Sequence, residues 1–138
     1  MRVAYQGERG AFSEAAARRF LGESVEAATL PFDSFEEMFA AVTAGEADCC
    51  IAPIENSLAG SIHRNYDLLA DSNFSIYGET NLRIVHNLLG AADSSLPALR
   101  RVLSHPVALA QCGRFFRAHP HIEAVPVHDT AGAVRMVM

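Results

Sequence analysis

The 138-residue sequence contains no lysine: all 11 of its basic residues are arginine. That absence excludes Schiff-base chemistry, a Walker-type lysine grip on phosphate and a lysine general base. Positive charge is short overall. Sixteen acidic residues leave a net charge of −5 at pH 7 with no basic stripe, which argues against a nucleic-acid partner. No apolar run approaches the roughly 18 residues of a membrane-spanning helix, so no membrane partner is expected either. A strand-like pattern begins at Val3 with no signal-peptide preamble, and the cytoplasm is the expected location. Three cysteines, two of them adjacent (Cys49, Cys50), make no disulfide framework and read as small buried hydrophobes. The spacing GxGxxG is missing, which removes the dinucleotide-binding reading of the glycine-rich "GERG". Nothing repeats, and no segment is low-complexity.

What is present suits one ordinary globular domain, half apolar and a fifth charged, able to bury roughly 70 % of its unfolded surface. Short β-like runs alternate with amphipathic helices. Val3 to Tyr5 reads as a strand, and Ser13 to Leu21 as a helix with Ser13 as a possible N-cap and Gly22 just past its end. Val25 to Leu30 reads as a second strand. Asp33 is expected to cap a helix whose Phe35, Met38, Phe39 and Val42 fall on one face, with Gly45 ending it. Cys49 to Ile54, continuously apolar, reads as a central parallel strand covered on both faces. Ser61 to Ala70 makes a helix burying Ile62, Tyr66 and Leu69. Phe74 to Leu89 reads as a long extended strand leaving one lobe for another. The rhythm then resumes with a strand at Arg101 to Leu103, a helix at Pro106 to Arg117 and a strand at Ile122 to Val127. A last helix starts at Asp129 and Thr130 and runs to Met138.

The fold class that follows is α/β, with mostly parallel sheets and flanking helices in two lobes. Ligands in such sheets bind beyond the carboxyl ends of the strands. That rule selects Gln6 to Ser13, Glu55 to Ser61, Ser104 to Pro106 and His128 to Ala131, each leading into a helix whose free N–H groups suit an anion. Spacing alone leaves alternatives open. The "ENS" turn at Glu55, Asn56 and Ser57 serves equally to satisfy backbone groups at a strand end. Thr130 serves as a plain helix cap. His119 and His121 lack a third metal ligand nearby, and Cys112 has no assigned base. Ser104 and His105, adjacent on a strand end, point apart and make a weak nucleophile–base pair.

Taken in order, the segments "YQGERGAFSEAAA", "FDSFEEMFAAVTAGEADCCIAPIENSLAGSIHRNYDLL", "IYGETNLRIVHNLLG", "VLSHPVALAQCGRFF" and "HDTAGAV" closely resemble the catalytic domain of the prephenate dehydratase family over essentially the whole chain. The resemblance implies two lobes like the type 2 periplasmic-binding fold, a substrate cleft, and conversion of prephenate to phenylpyruvate, water and carbon dioxide towards phenylalanine. It implies neither metal nor organic cofactor. Carried over residue by residue, it places Ser13, Asn56, Ser57, Gly60, Ser104, His105, Gln111, Thr130 and Ala131 against the substrate, with Glu55 supporting the turn.

The family's Thr-Arg-Phe motif, whose threonine is usually given the acid role, does not occur here, so no catalytic residue is assigned. The expectation is a domain incomplete at its C-terminus: residues 1–77 in the first lobe, 78–138 in an incomplete second lobe, with the return segment and the regulatory ACT domain absent. Little or no dehydratase activity is expected of it. The bare apolar end at Val134, Met136, Val137 and Met138 adds the expectation of a homo-oligomer. The rival reading is a non-catalytic small-anion-binding module of the same fold.

Overall fold

A computed structural model describes residues 1–22 and 28–137. They divide into two compact units, Met1–Arg83 and Ile84–Met138, each described here by itself.

In the first unit, β1 (Arg2–Gln6) leads into α1 (Phe12–Leu21), β2 (Ala28–Phe32), α2 (Phe35–Thr43) and β3 (Cys49–Ile51). The three strands form one parallel sheet in the order β2-β1-β3, with Tyr5 opposite Pro31 on one side and Ile51 on the other. The sequence expectation of a central Cys49–Ile54 strand is corrected. The centre is β1, whose Val3, Ala4 and Tyr5 are all buried, and β3 lies at one edge of the three. Small Ala4 lets α2 pack close against β1. Of the second strand expected at 25–30, residues 25–27 lie outside the described residues, and β2 takes in the rest.

The helix face read at Phe35, Met38, Phe39 and Val42 is the inward face of α2. Met38 and Phe39 are buried with Ala4 and Ala47, and Phe35 and Val42 pack against them. Phe74 covers this cluster, its ring stacked on Phe39 at 5.6 Å and 19°. Burial of such side chains stabilises by about 1.5–3 kcal/mol each.

The caps differ from expectation. Ala11 precedes α1 without a side-chain cap, and Ser13 sits inside the first turn. Ser34, not Asp33, caps α2: its hydroxyl accepts the Glu37 N–H at 3.2 Å, while the Glu37 carboxylate accepts the Asp33 N–H at 3.2 Å. This is a reciprocal capping box displaced by one residue on its return bond.

Two short strands, β4 (Glu55–Asn56) and β5 (Gly60–Ser61), pair antiparallel before α3 (His63–Ala70). On α3 the inward face carries Asn65, Leu68 and Leu69, while Tyr66 is 44 % exposed, against expectation. Residues 73–91 contain no helix or strand among the described residues, so the extended segment read at 74–89 is not a strand there. An apolar strand pattern needs a partner edge to become one, and Ile76 and Tyr77 remain largely exposed.

In the second unit, a single 3₁₀ turn (Leu96–Ala98) precedes β6 (Arg101–Ser104), α4 (Pro106–Gln111), α5 (Gly113–Ala118), β7 (Glu123–Pro126) and α6 (Thr130–Val137). Strands β6 and β7 pair in parallel, Arg101 opposite Glu123 and Ser104 opposite Pro126. Ala108, Ile122 and Ala133 are buried around them. The helix expected at 106–117 is broken at Cys112, whose φ of −89° and ψ of 16° end α4 as Gly113 opens α5. Glycine inside a helix costs about 1 kcal/mol relative to alanine, which favours a break there. Pro106 occupies the first turn of α4, as its missing N–H allows. Residue 138, the last of the expected final helix, lies outside the described residues.

Candidate functional site

Strand order β2-β1-β3 reverses the chain's direction of travel between β1 and β3, and open parallel sheets bind ligands outside the carboxyl ends at such a switch. The register Tyr5 to Ile51 sets the loop after β1 beside the segment after β3. Two of the junctions selected by sequence, those carrying Ser13 and Asn56, therefore leave the same edge of one sheet.

The loop after β1 turns on Gly7 (φ 111°) and Gly10 (φ 88°). A Cβ on Gly7 would stand 3.3 Å from that of Ala11, so strain and crowding both require glycine there. The Gly10 N–H donates not to a bound anion but to Oε2 of Glu14, at 2.7 Å. Glu14 Oε1 in turn accepts from Arg18 Nη2 at 2.7 Å and from the Thr29 hydroxyl at 3.0 Å. The Gly10 N–H, then Arg18 and Thr29, hold this buried carboxyl below the usual carboxylate range against the opposing effect of burial. Ser13 lies half-buried beside it on α1.

After β3 the chain forms the β4–β5 hairpin, with Asn56 opposite Gly60. Asn56 Oδ1 accepts two backbone N–H groups, Leu58 at 2.9 Å and Ala59 at 3.0 Å, closing a side-chain-mimicked turn. Gly60 provides the positive φ of 86° that completes it. Glu55 and Ser57 are exposed on this hairpin.

Two buried polar groups of this unit were missed by the sequence reading. Asn65 Nδ2 donates to the Pro53 carbonyl at 2.8 Å, while Asn65 Oδ1 and the Tyr5 hydroxyl are buried without a hydrogen-bond partner among the described residues. Burial, aided by the Glu14 charge, pushes the Tyr5 phenol up. For Asn65 the signal was a polar side chain on the inward face of α3; for Tyr5 there was none, since a strand aromatic reads as core.

In the second unit, Ser104 ends β6 and its carbonyl accepts the Val127 N–H at 3.0 Å, so Ser104 and the 127–131 segment share the carboxyl edge of β6 and β7. Thr130 and Ala131 open α6 on that edge, both half-buried. The expected cap Thr130 is replaced by Asp129, whose Oδ1 accepts the Gly132 N–H at 2.6 Å. A Cβ on Gly132 would come within 2.6 Å of the other oxygen, so glycine is what admits the carboxylate. His105 caps α4, its Nδ1 accepting the Val107 N–H at 3.2 Å. Gln111, at the far end of α4, meets His86 Nε2 through its Oε1 at 2.8 Å.

Each unit by itself offers hydroxyl, amide and backbone donors, and little reactive nucleophile. Burial pushes the Cys50 thiol up to about 11, leaving it protonated at neutral pH. With Nδ1 committed as an acceptor, neutral His105 carries its proton on Nε2 and has no lone pair left to take one from Ser104. No group of three or more His, Cys, Asp or Glu that could hold a metal occurs among the described residues, and no helix among them is long and apolar enough to cross a membrane.

Over 137 residues the chain is 47 % identical to arogenate dehydratase/prephenate dehydratase 2, chloroplastic, of Arabidopsis thaliana, covering 99 % of this chain and 35 % of that protein. It is 37 % identical over 138 residues to the bifunctional chorismate mutase/prephenate dehydratase of Stutzerimonas stutzeri, covering 99 % of this chain and 37 % of that one. The chain thus spans about a third of the length of these curated relatives. Among solved structures, GqqA, described as a novel type of quorum quenching acylase, is similar with a TM-score of 0.84 at 37 % identity, covering 99 % of this chain and 49 % of that one. Prephenate dehydratase of Arthrobacter aurescens, solved in complex with L-Phe, is similar with a TM-score of 0.78 at 27 % identity, covering 99 % and 46 %. The α/β class of periplasmic-binding type expected from the sequence is therefore the fold of a solved dehydratase. Residues 3–138 match the family profile described as prephenate dehydratase, and the chain belongs to that family.

Proposed function

We propose that the protein acts as a prephenate dehydratase in phenylalanine biosynthesis, and that this chain supplies substrate-binding residues for the loss of water and carbon dioxide that yields phenylpyruvate. Aromatisation drives that reaction. The protein's work is to orient a dianion, protonate the departing hydroxyl and exclude water. Ser13, Asn56, Ser57, Gly60, Ser104, His105, Gln111, Thr130 and Ala131 are the proposed substrate-facing residues, with Glu55 supporting the hairpin. The lobes are assigned as residues 1–77 and 78–138.

The observation that carries the reading is the commitment of Asn56 Oδ1 to two backbone N–H groups. Held by its oxygen, the carboxamide presents no acceptor that would repel a carboxylate. A dianionic substrate also fits a water-filled compartment, for which we propose the cytoplasm. A homo-oligomer belongs to the same proposal, since exposed Leu88 and Leu89 provide apolar surface for a second copy.

The acylase description of one structural relative suggests a hydrolytic alternative, with Ser104 as nucleophile and His105 as base. The cap bond on His105 Nδ1 removes the base from that pair.

The test offers prephenate and its amino analogue arogenate separately to the complete gene product and follows phenylpyruvate formed from the first and phenylalanine formed from the second. The wild type should turn over at least one, and Ser104→Ala should raise KM about tenfold, as loss of one hydrogen bond to a charged group does. Hydrolysis of an acyl amide with no dehydration of either compound would overturn the reading.

A further inference from the structure

Of the six arginines in Met1–Arg83, three are met by carboxylates: Arg2 by Asp48, Arg18 by Glu14 and Arg64 by Glu36. Arg9, Arg19 and Arg83 have no such partner among the described residues. Of these, Arg9 alone stands in a loop that follows a strand of the β2-β1-β3 sheet. The unit carries thirteen acidic residues, so the isolation of this cation comes from its place and not from a shortage of acids.

That place is fixed by the backbone. The Gly7 N–H donates to the Phe32 carbonyl at 2.9 Å, and the Ala11 N–H to the Glu8 carbonyl at 3.0 Å. The second bond closes a turn with Arg9 and Gly10 at its centre, and the positive φ of Gly10 is what a type II turn requires there. The Gly10 N–H is taken by Glu14. These backbone donors are all spent inside the loop, so any attraction it exerts on an anion comes from a side chain. Arg9 is exposed, and its neighbour Glu8 is half-buried. The Arg9 charge is felt at the Tyr5 hydroxyl, near the end of the central strand: burial and Glu14 raise that phenol, and Arg9 opposes them. The guanidinium therefore lies at the carboxyl edge of the sheet.

We infer that Arg9 binds an anionic group of the substrate and discriminates by charge, adding more to the binding of prephenate, a dianion, than to that of arogenate, whose ammonium group offsets one of its two carboxylates. The inference rests on the proposed reading that such a substrate binds at this edge. A merely solvated surface arginine would have a different signature, leaving affinity alone at any salt concentration.

Calorimetric titration of the complete gene product with prephenate and with arogenate, at low and at high salt, separates these cases. The variants are Arg9→Ala, Arg9→Lys and Arg19→Ala. Arg19, exposed near the far end of α1, matches the change in net charge away from the loop. At low salt Arg9→Ala should weaken prephenate binding about fivefold, the attraction of one charge pair in contact in water. Arogenate binding should weaken by about twofold or less. Near 1 M salt, where the screening length is about 3 Å, the wild type and Arg9→Ala should bind prephenate alike. Arg9→Lys keeps the charge and should stay within about twofold of the wild type, and Arg19→Ala should match it. Melting temperatures should all agree, because an exposed side chain without a partner is lost at little cost. The inference alone is overturned if Arg9→Ala binds prephenate as the wild type does, or if Arg19→Ala weakens binding as much. An equal loss for both compounds that salt does not remove also overturns it, since that would be a change of loop shape. A wild type that binds no prephenate brings down the proposed reading as well.

Discussion

The carboxylate of Glu14 accepts the N–H of Gly10 at 2.7 Å, so the glycine-rich loop after β1 is closed by an anion from the helix it introduces. With Arg18 and Thr29 on its other oxygen, this carboxyl is held below its ordinary range in the folded state. A depressed folded value means that its stabilisation is present above the unfolded value, about 4.3, and is lost as pH falls through the folded one. Glu14→Gln should therefore lower stability by about 1–3 kcal/mol at pH 7, the cost of weakening bonds to a buried charged group. The deficit should shrink as pH drops below about 4. Thermal unfolding of both proteins between neutral and acid pH checks this; a constant deficit at every pH would contradict it.

Tyr5 is fully buried and its hydroxyl has no partner among the described residues. An unsatisfied buried hydroxyl costs about 1–3 kcal/mol, which its removal relieves. Tyr5→Phe should accordingly melt at the same temperature as the wild type or a few degrees higher. A clear loss of stability would mean that the hydroxyl is bonded in solution.

The cap of α6 gives a paired test. Asp129→Ala removes the acceptor of the Gly132 N–H and should cost about 0.5–2 kcal/mol. Gly132→Ala pushes a methyl against the Asp129 carboxylate and should cost a similar amount by displacing it. Made together the two losses should not add, because both break one bond. Chemical denaturation of the three variants measures this, and full additivity would show that Asp129 is not the cap.

The alternation of strands and helices was legible in the sequence because each amphipathic run repeats a period over several residues. Met38 and Phe39 were placed in the core on that signal alone, and both are buried. Caps were legible only to within a residue: Asp33 and Ser34 are both good cap residues, and the choice between them depends on where the backbone leaves the extended region. The break at Cys112 escaped because a single glycine, Gly113, only weakly disfavours a continuous helix, and the exposure of Tyr66 escaped because it is set by what packs against α3. The same holds for the extended stretch at 74–89, whose pattern cannot say whether a partner strand exists. Among candidate site residues, Asn56 and Ser104 stood out as polar groups at the ends of apolar strands, a local feature. The internal duties of Asn56 Oδ1 and His105 Nδ1 were not visible, since their partners are backbone N–H groups that any residue supplies. His86 was invisible as well, because its bond to Gln111 spans 25 residues.

Asn56 distinguishes structure from binding most directly. Asn56→Asp keeps an oxygen to accept the Leu58 and Ala59 N–H groups, so the hairpin should form and the melting temperature should hold. It replaces the nitrogen donors with a negative charge, which would repel a dianionic substrate. Calorimetric titration of prephenate into the complete gene product is the decisive measurement. The wild type should bind, and folded Asn56→Asp should bind at least about 100-fold more weakly, a cost of about 2.7 kcal/mol for setting a like charge against the substrate. Equal affinity in the two proteins would contradict it.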